Sequence, residues 1–271
     1  MLKDIRKILA FIRKEILSLL SYKYAFFSSM LFSFISLLFY FAMAGVFKAA
    51  IIPALIPYGG DYLAFMITGA ILWQMVTFGL YSISSTFTME MVTGTFETIY
   101  ISRANLLTVL LGVSLFSLLI NTGLAVVSLV FASLIFGVSI HFDNILLAVL
   151  ILLMTYFSML GIGMMVAGIT IITKSVGQVV SIFTLVMSFL CGILVPISLL
   201  PDWARQFSYF VPLTYALDAL RSVLLMGAGF EQISSPLLSL FVISVILIPL
   251  GYKTFFICLN IARKEGSLGQ F

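Results

Sequence analysis

Apolar residues run through this chain in long blocks, and the charged residues fall almost wholly between those blocks. No formal charge occurs between Asp61 and Glu90, or between Arg103 and His141. About twenty residues rising 1.5 Å each cross a hydrocarbon core of about 30 Å, so apolar blocks of eighteen or more read as membrane helices. The pattern predicts six spans, at 24–47, 62–87, 106–136, 145–172, 176–195 and 237–259. Pro53, Pro57 and Gly59-Gly60 mark a turn after the first span, and Lys174 marks a very short turn after the fourth. Lys253 can snorkel toward the end of the sixth.

Residues 2–21 follow another period. Leu2, Ile5, Ile8, Leu9, Ile12, Ile16, Leu19 and Leu20 recur at three- and four-residue spacing, with Lys3, Arg6, Lys7, Arg13 and Lys14 mostly on the other side. That is the pattern of an amphipathic helix lying in the headgroup region with a basic outer face. In the fourth span Gly161, Gly163, Ala167 and Gly168 offer close helix approach, read as a contact within the chain in preference to one between subunits.

Composition fixes the class. Hydrophobic residues make up 62% and charged residues 9% of the 271 positions, and mean hydropathy is +1.24. Soluble domains carry roughly 25% charged residues, so this is an all-α polytopic membrane protein. Basic residues before an apolar run, with Ala42-Met43-Ala44 behind it, resemble a cleavable signal. The run from Tyr24 is long for a signal, so a retained first span is expected. Cys191 and Cys258 lie in apolar runs and read as buried free thiols.

Charge sets the orientation. Six spans put both termini on one side, together with Lys3, Arg6, Lys7, Arg13, Lys14, Lys23, Arg103, Lys174, Arg263 and Lys264. The other side holds Lys48, Arg205 and Arg221, so the positive-inside rule predicts cytoplasmic termini in a plasma (inner) membrane.

Several chemistries lack their residues. No glycine is followed by lysine, so no phosphate-cradling G-x-x-x-x-G-K-[ST] loop exists. The single histidine, His141, sits beside Asp143 in a short outward loop and reads as a surface residue. No metal-ligand spacing occurs, and Asp61, Glu90, Glu97, Asp143, Asp202 and Glu231 all fall at or beyond span ends. Proton- or sodium-coupled carriers commonly use buried carboxylates, so energy is expected from another chain. No catalytic residue, metal or nucleic-acid partner is expected.

Two stretches depart from plain hydrophobic helix. In 89–103, Thr93-Gly94-Thr95 breaks the chain, and Thr95 can cap a short helix whose Glu97 complements the helix dipole. With Glu90 and Arg103, this inward segment has the character of a docking element for a soluble partner. The second stretch, 196–225, breaks at Pro196 and Pro201 and then carries Trp203, Pro212, Thr214, Tyr215, Asp218 and Arg221. Asp218 and Arg221, three apart, are expected to pair on one helix face near the outer interface. A helical hairpin re-entering from outside fits this pattern.

These stretches resemble the permease subunits of ABC transporters of the type-two export class. The resemblance rests on the basic N-terminal helix, six spans, the Glu90…Gly94-Thr95-Phe96-Glu97 link and the pattern Pro196…Leu200-Pro201-x-Trp203…Pro212-Leu213-Thr214-Tyr215…Arg221. The family's link usually reads Gly-Thr-Leu-Glu, often with a proline after it; here Phe96 replaces the leucine and Arg103 stands near the proline position. The resemblance implies two permease copies in contact with membrane lipids, each docking a separate ATP-binding subunit that carries ATP and magnesium. It implies that the link segment contacts that subunit, that the hairpin closes the path from outside, and that spans two and five line it. Drugs, lipids and lipid-linked glycans are the substrate classes implied. The alternatives are an ion-coupled carrier or channel acting alone, and a non-transporting scaffold.

Overall fold

The computed structural model describes residues 12–14, 16–17, 21, 23–59, 61–92, 106–138, 140–141, 143–193 and 195–264. Every regular element among them is helical. In chain order these are α1 (Lys23–Leu55), α2 (Tyr62–Val92), α3 (Leu106–Phe136), α4 (Ile145–Thr173), α5 (Val176–Leu190), α6 (Asp202–Ser208), α7 (Pro212–Met226) and α8 (Phe230–Lys264), with 3-10 turns at Ile56–Tyr58 and Ile197–Leu199.

Among the described residues, the helical stretches long and apolar enough to cross a membrane are Ser114–Phe136, Ile145–Thr173 and Phe230–Lys264. The α6–α7 pair passes the same test jointly but is bent by 85° at its break. Shorter apolar stretches occupy Phe34–Met43, Tyr62–Thr77 and Gly177–Leu190. Of the amphipathic segment expected over 2–21, most lies outside the described residues, as do Thr93, Gly94, Thr95, Glu97 and Arg103 of the link expected to face inward. Glu90 falls in the last turn of α2.

Helix ends differ from the apolar blocks in three places. Pro53, expected in a turn, lies inside α1, and the chain turns only at the 3-10 segment after it. A proline near a helix C-terminus removes one backbone donor without ending the helix when packing holds the last turn, and Leu55 there is fully buried. The last helix starts at Phe230 and carries both Pro236 and Pro249 inside it. The fifth block, apolar through Val195, stops being helical at Leu190. Gly192 then adopts φ +73°, and a side chain there would press on Ile197, so helix cannot continue through it.

The most extensive helix contact is α4 against α8. Gly161 meets the backbone of Leu247, Gly251 meets the carbonyl of Gly161, and Gly168 meets Phe255 and Cys258. The small residues of α4 therefore serve packing within the chain. Dispersion grows steeply as backbones approach, which is how small residues associate helices where no hydrophobic drive exists. α3 turns a polar seam inward instead: Ser114, Ser117, Asn121 and Ser128 are all buried. The Asn121 amide donates to the Ser117 carbonyl (2.7 Å) and hydroxyl (3.0 Å), and the Tyr156 hydroxyl of α4 donates to the Ser114 carbonyl. The largest apolar cluster joins α2, α4, α7 and α8 through Leu72, Ile151, Leu213, Leu217, Leu224 and Leu240.

Gly251→Leu forces α4 and α8 apart, and overpacking of this kind costs about 1–3 kcal/mol. It is expected to lower the melting temperature of the detergent-solubilised protein. Gly123→Ala, where an added Cβ meets nothing within 4 Å, should leave it unchanged.

Candidate functional site

The bent pair α6–α7 and the segment before it form the site. Where α5 stops, its last carbonyls and those of the following strap lose helical donors, and unpaired backbone in an apolar setting costs several kcal/mol per group. Side chains of the α6–α7 pair replace those donors. The Ser208 hydroxyl donates to the Leu190 carbonyl at 2.6 Å. Arg221 donates through Nη1 to Gly192 (2.9 Å) and through Nη2 to Ile193 (2.8 Å). Arg205 donates through Nη2 to the carbonyls of Ser198 (2.8 Å) and Leu200 (3.2 Å).

Arg221 reaches further. Its Nη2 also donates to the Phe65 carbonyl on α2 (3.1 Å), and its guanidinium carbon lies 3.4 Å from the centroid of the Phe65 ring. The residue is only 3% exposed. A guanidinium keeps its charge in proteins, and here three carbonyl dipoles and an aromatic face surround it. Gly69 makes the approach possible, because a Cβ there would sit 2.6 Å from Nη2.

Asp218 does not pair with Arg221 as its spacing led us to expect. No ion pair joins the two among the described residues; Asp218 instead accepts the Tyr58 hydroxyl at 2.7 Å. Tyr58 sits on the 3-10 turn between α1 and α2. Burial pushes its phenol above the ordinary tyrosine range and the Asp218 carboxylate adds to this, so the phenol remains a donor. Spacing of three puts two residues on one face, but nearer partners on other elements took each of them.

The other residues singled out from sequence are placed as follows. Pro196 and Pro201 directly precede the 3-10 turn and α6, with the extended backbone that proline favours. Trp203 is exposed and stacks on Phe189 of α5, with ring centroids 6.3 Å apart. Pro212 opens α7 at its first turn, where the missing N–H costs nothing. Thr214 is buried, and its hydroxyl finds no partner among the described residues. The Tyr215 hydroxyl donates to the Tyr209 carbonyl at 2.9 Å and braces the bend. Asp202 and Arg205 lie 3.6 Å apart with Asp202 almost fully exposed, a pair worth little in water.

Sequence reasoning missed Tyr58, Phe65 and Gly69, because nothing local marks a carbonyl or a ring as an arginine's partner. It also missed how the α3–α4 loop holds the end of α7. The His141 backbone N–H donates to the Leu224 carbonyl at 2.8 Å. The Asn144 amide donates to the carbonyls of Gly227 and Ala228, both at 3.1 Å.

Two clefts adjoin this site. One, of about 360 Å³, lies between α1 and α2 and is lined by residues that include Ser36, Gln74 and Thr77. The other, of about 800 Å³, lies between the C-terminal part of α5 and the α6–α7 pair and includes Phe189, Ile193, Trp203 and Phe207. Tyr40 and Trp73 line both.

An all-helical bundle with membrane-length apolar helices and a bent pair fastened by buried arginine defines a multi-pass membrane protein. A family model described as ABC-2 type transporter matches residues 6–225, and the chain belongs to that family. It is a membrane-embedded transporter subunit of the permease kind. No curated protein matches the chain.

Arg221→Leu leaves buried carbonyls without donors, at about 1–3 kcal/mol for each such group. It should lower the melting temperature in detergent more than Tyr58→Phe does. Arg221→Lys should fall between them, because lysine carries its donors on one nitrogen and lacks the fork. Equal melting of all three variants would show that the guanidinium does not fasten the α6–α7 pair.

Proposed function

We propose that this chain is the membrane half of an ATP-driven exporter. Six crossings are made by α1, α2, α3, α4, α5 and α8, and the α6–α7 pair re-enters from the outer face. Both termini lie in the cytoplasm, and the membrane is the plasma (inner) membrane. A second permease copy and two separate ATP-binding subunits complete the machine, with ATP and magnesium held on those subunits and no catalytic group here. The segment 89–103, with Glu90, Thr93, Gly94, Thr95, Glu97 and Arg103, transmits their motion, and the hairpin closes the outer end. The cargo is an amphipath of the drug, lipid or lipid-linked glycan kind.

The observation that carries this reading is the arrangement along α2. The start of that helix is gripped by Arg221 at Phe65, and its far end leads into the 93–105 link. Its 31 residues rise roughly 46 Å, enough to join the two faces of a membrane. Family membership supports an ATP-binding partner, and the missing phosphate-cradling loop agrees with it.

The test is co-purification with an ATP-binding subunit encoded nearby. The permease alone should show no ATP turnover, and the complex in proteoliposomes should show turnover stimulated by substrate. Glu97→Ala should lower stimulated turnover by about fivefold or more, the scale of an ordinary coupling energy. Undiminished coupling after replacing both Glu90 and Glu97 would remove the role given to that segment. Substrate flux with no ATP-binding subunit present would favour an ion-coupled carrier or channel.

A further inference from the structure

The two clefts meet at Tyr40 and Trp73, which line both. Tyr40 stands near the midpoint of α1. From there one is lined by α1 and α2 and the other by α5, the segment after it and α6. Among the described residues, none that lines either cleft carries a formal charge, so a charged group inside would find no counter-charge among them.

Three of the polar side chains along this path are engaged by their own helices. The hydroxyls of Ser36, Thr77 and Ser188 donate to carbonyls of their own helices, at Phe32 (2.9 Å), Trp73 (2.9 Å) and Leu185 (2.8 Å). These contribute no free donor to the cleft. The Tyr40 hydroxyl and the Trp73 indole N–H make no hydrogen bond to the described residues, and both side chains are half-buried. Tyr81 and Trp203, further out along the path, are 50% and 59% exposed, so water or headgroups can serve them. The waist of the path therefore combines two donors with hydrocarbon on either side. Pockets use a few polar groups of this kind to orient a largely apolar ligand.

We propose that the joined clefts form a binding site for an uncharged, mostly hydrocarbon amphipath with an acceptor oxygen part-way along it. An ester, amide or ether oxygen would take the Tyr40 hydroxyl and the Trp73 N–H while hydrocarbon fills the space above and below. This deepens the export reading, on which its role as a cargo site rests, by naming what cargo presents to the protein midway along the path.

The chain has only two tryptophans, Trp73 and Trp203, so Trp203→Phe leaves Trp73 as the sole indole reporter. The full-length variant in detergent is titrated with dibrominated methyl stearate, and separately with a dibrominated alkane of matched length that lacks the ester. Bromine quenches a nearby indole. The ester should quench Trp73 saturably, at a concentration about five- to hundredfold below that needed for the alkane, as two hydrogen bonds to one oxygen predict. Tyr40→Phe, which keeps the ring and removes the hydroxyl, should erase most of that difference. Trp73→Phe, read from Trp203 at the cleft beside α5, should do the same.

Four results would overturn the proposal. They are quenching proportional to probe concentration for both probes, equal saturation by ester and alkane, an ester preference that survives both variants, or no quenching because a second copy covers the clefts. Neither ATP nor a partner subunit enters the measurement. A failure of ATP coupling therefore leaves this result standing, and a failure here leaves coupling untouched.

Discussion

The structure turns on backbone carbonyls that lose their helix. α5 has 15 residues and rises about 22 Å, short of a hydrocarbon core of about 30 Å, so the chain goes on beyond it without regular hydrogen bonds. Irregular backbone in an apolar setting survives only where protein covers it and supplies donors. The α6–α7 pair does both. Ser208, Arg205 and Arg221 together satisfy five carbonyls between Leu190 and Leu200. The bend of the α6–α7 pair returns these side chains to the strap that precedes them.

Arg221 adds a link that the others lack. By also taking the Phe65 carbonyl, it ties the end of α5 and the α6–α7 pair to the start of α2. Tyr58 and Asp218 fasten the same helix to the turn before α2. Charge-assisted bonds are worth more than neutral ones, roughly 1.5–3 kcal/mol each, and a buried guanidinium without acceptors would be costly. These elements are thus held as one block, while the α4–α8 seam, packed glycine on glycine, supports the other side of the bundle.

Class and helical content were legible from composition and from the spacing of charges, because membrane thickness demands long apolar blocks. The small residues of α4 also announced a close contact, and its partner is α8. What hydropathy could not mark was the end of α5: residues 191–195 are as apolar as the helix before them, and only Gly192 departs from it. The Asp218–Arg221 spacing was a fair local clue that failed for a non-local reason. Tyr58 is 160 positions from Asp218, and Phe65 is 156 from Arg221. A carbonyl acceptor is present at every residue, so its choice of partner leaves no trace in the sequence.

The cleft beside α5 and the arginine cluster share a wall. Gly192 and Ile193 line that cleft, and their carbonyls are the ones Arg221 holds. The shape of the cleft is therefore set by a residue that does not line it. Removing the guanidinium frees the strap to find other partners, and any such shift moves Ile193 and its neighbours relative to Trp73. Gly69 belongs to the same constraint from the α2 side, since a side chain there would displace both Nη2 and the Ile193 carbonyl. Changes at Gly69 and at Arg221 should thus act on one geometric quantity, the position of Gly192 and Ile193, and their effects on stability and on the cleft should not be additive.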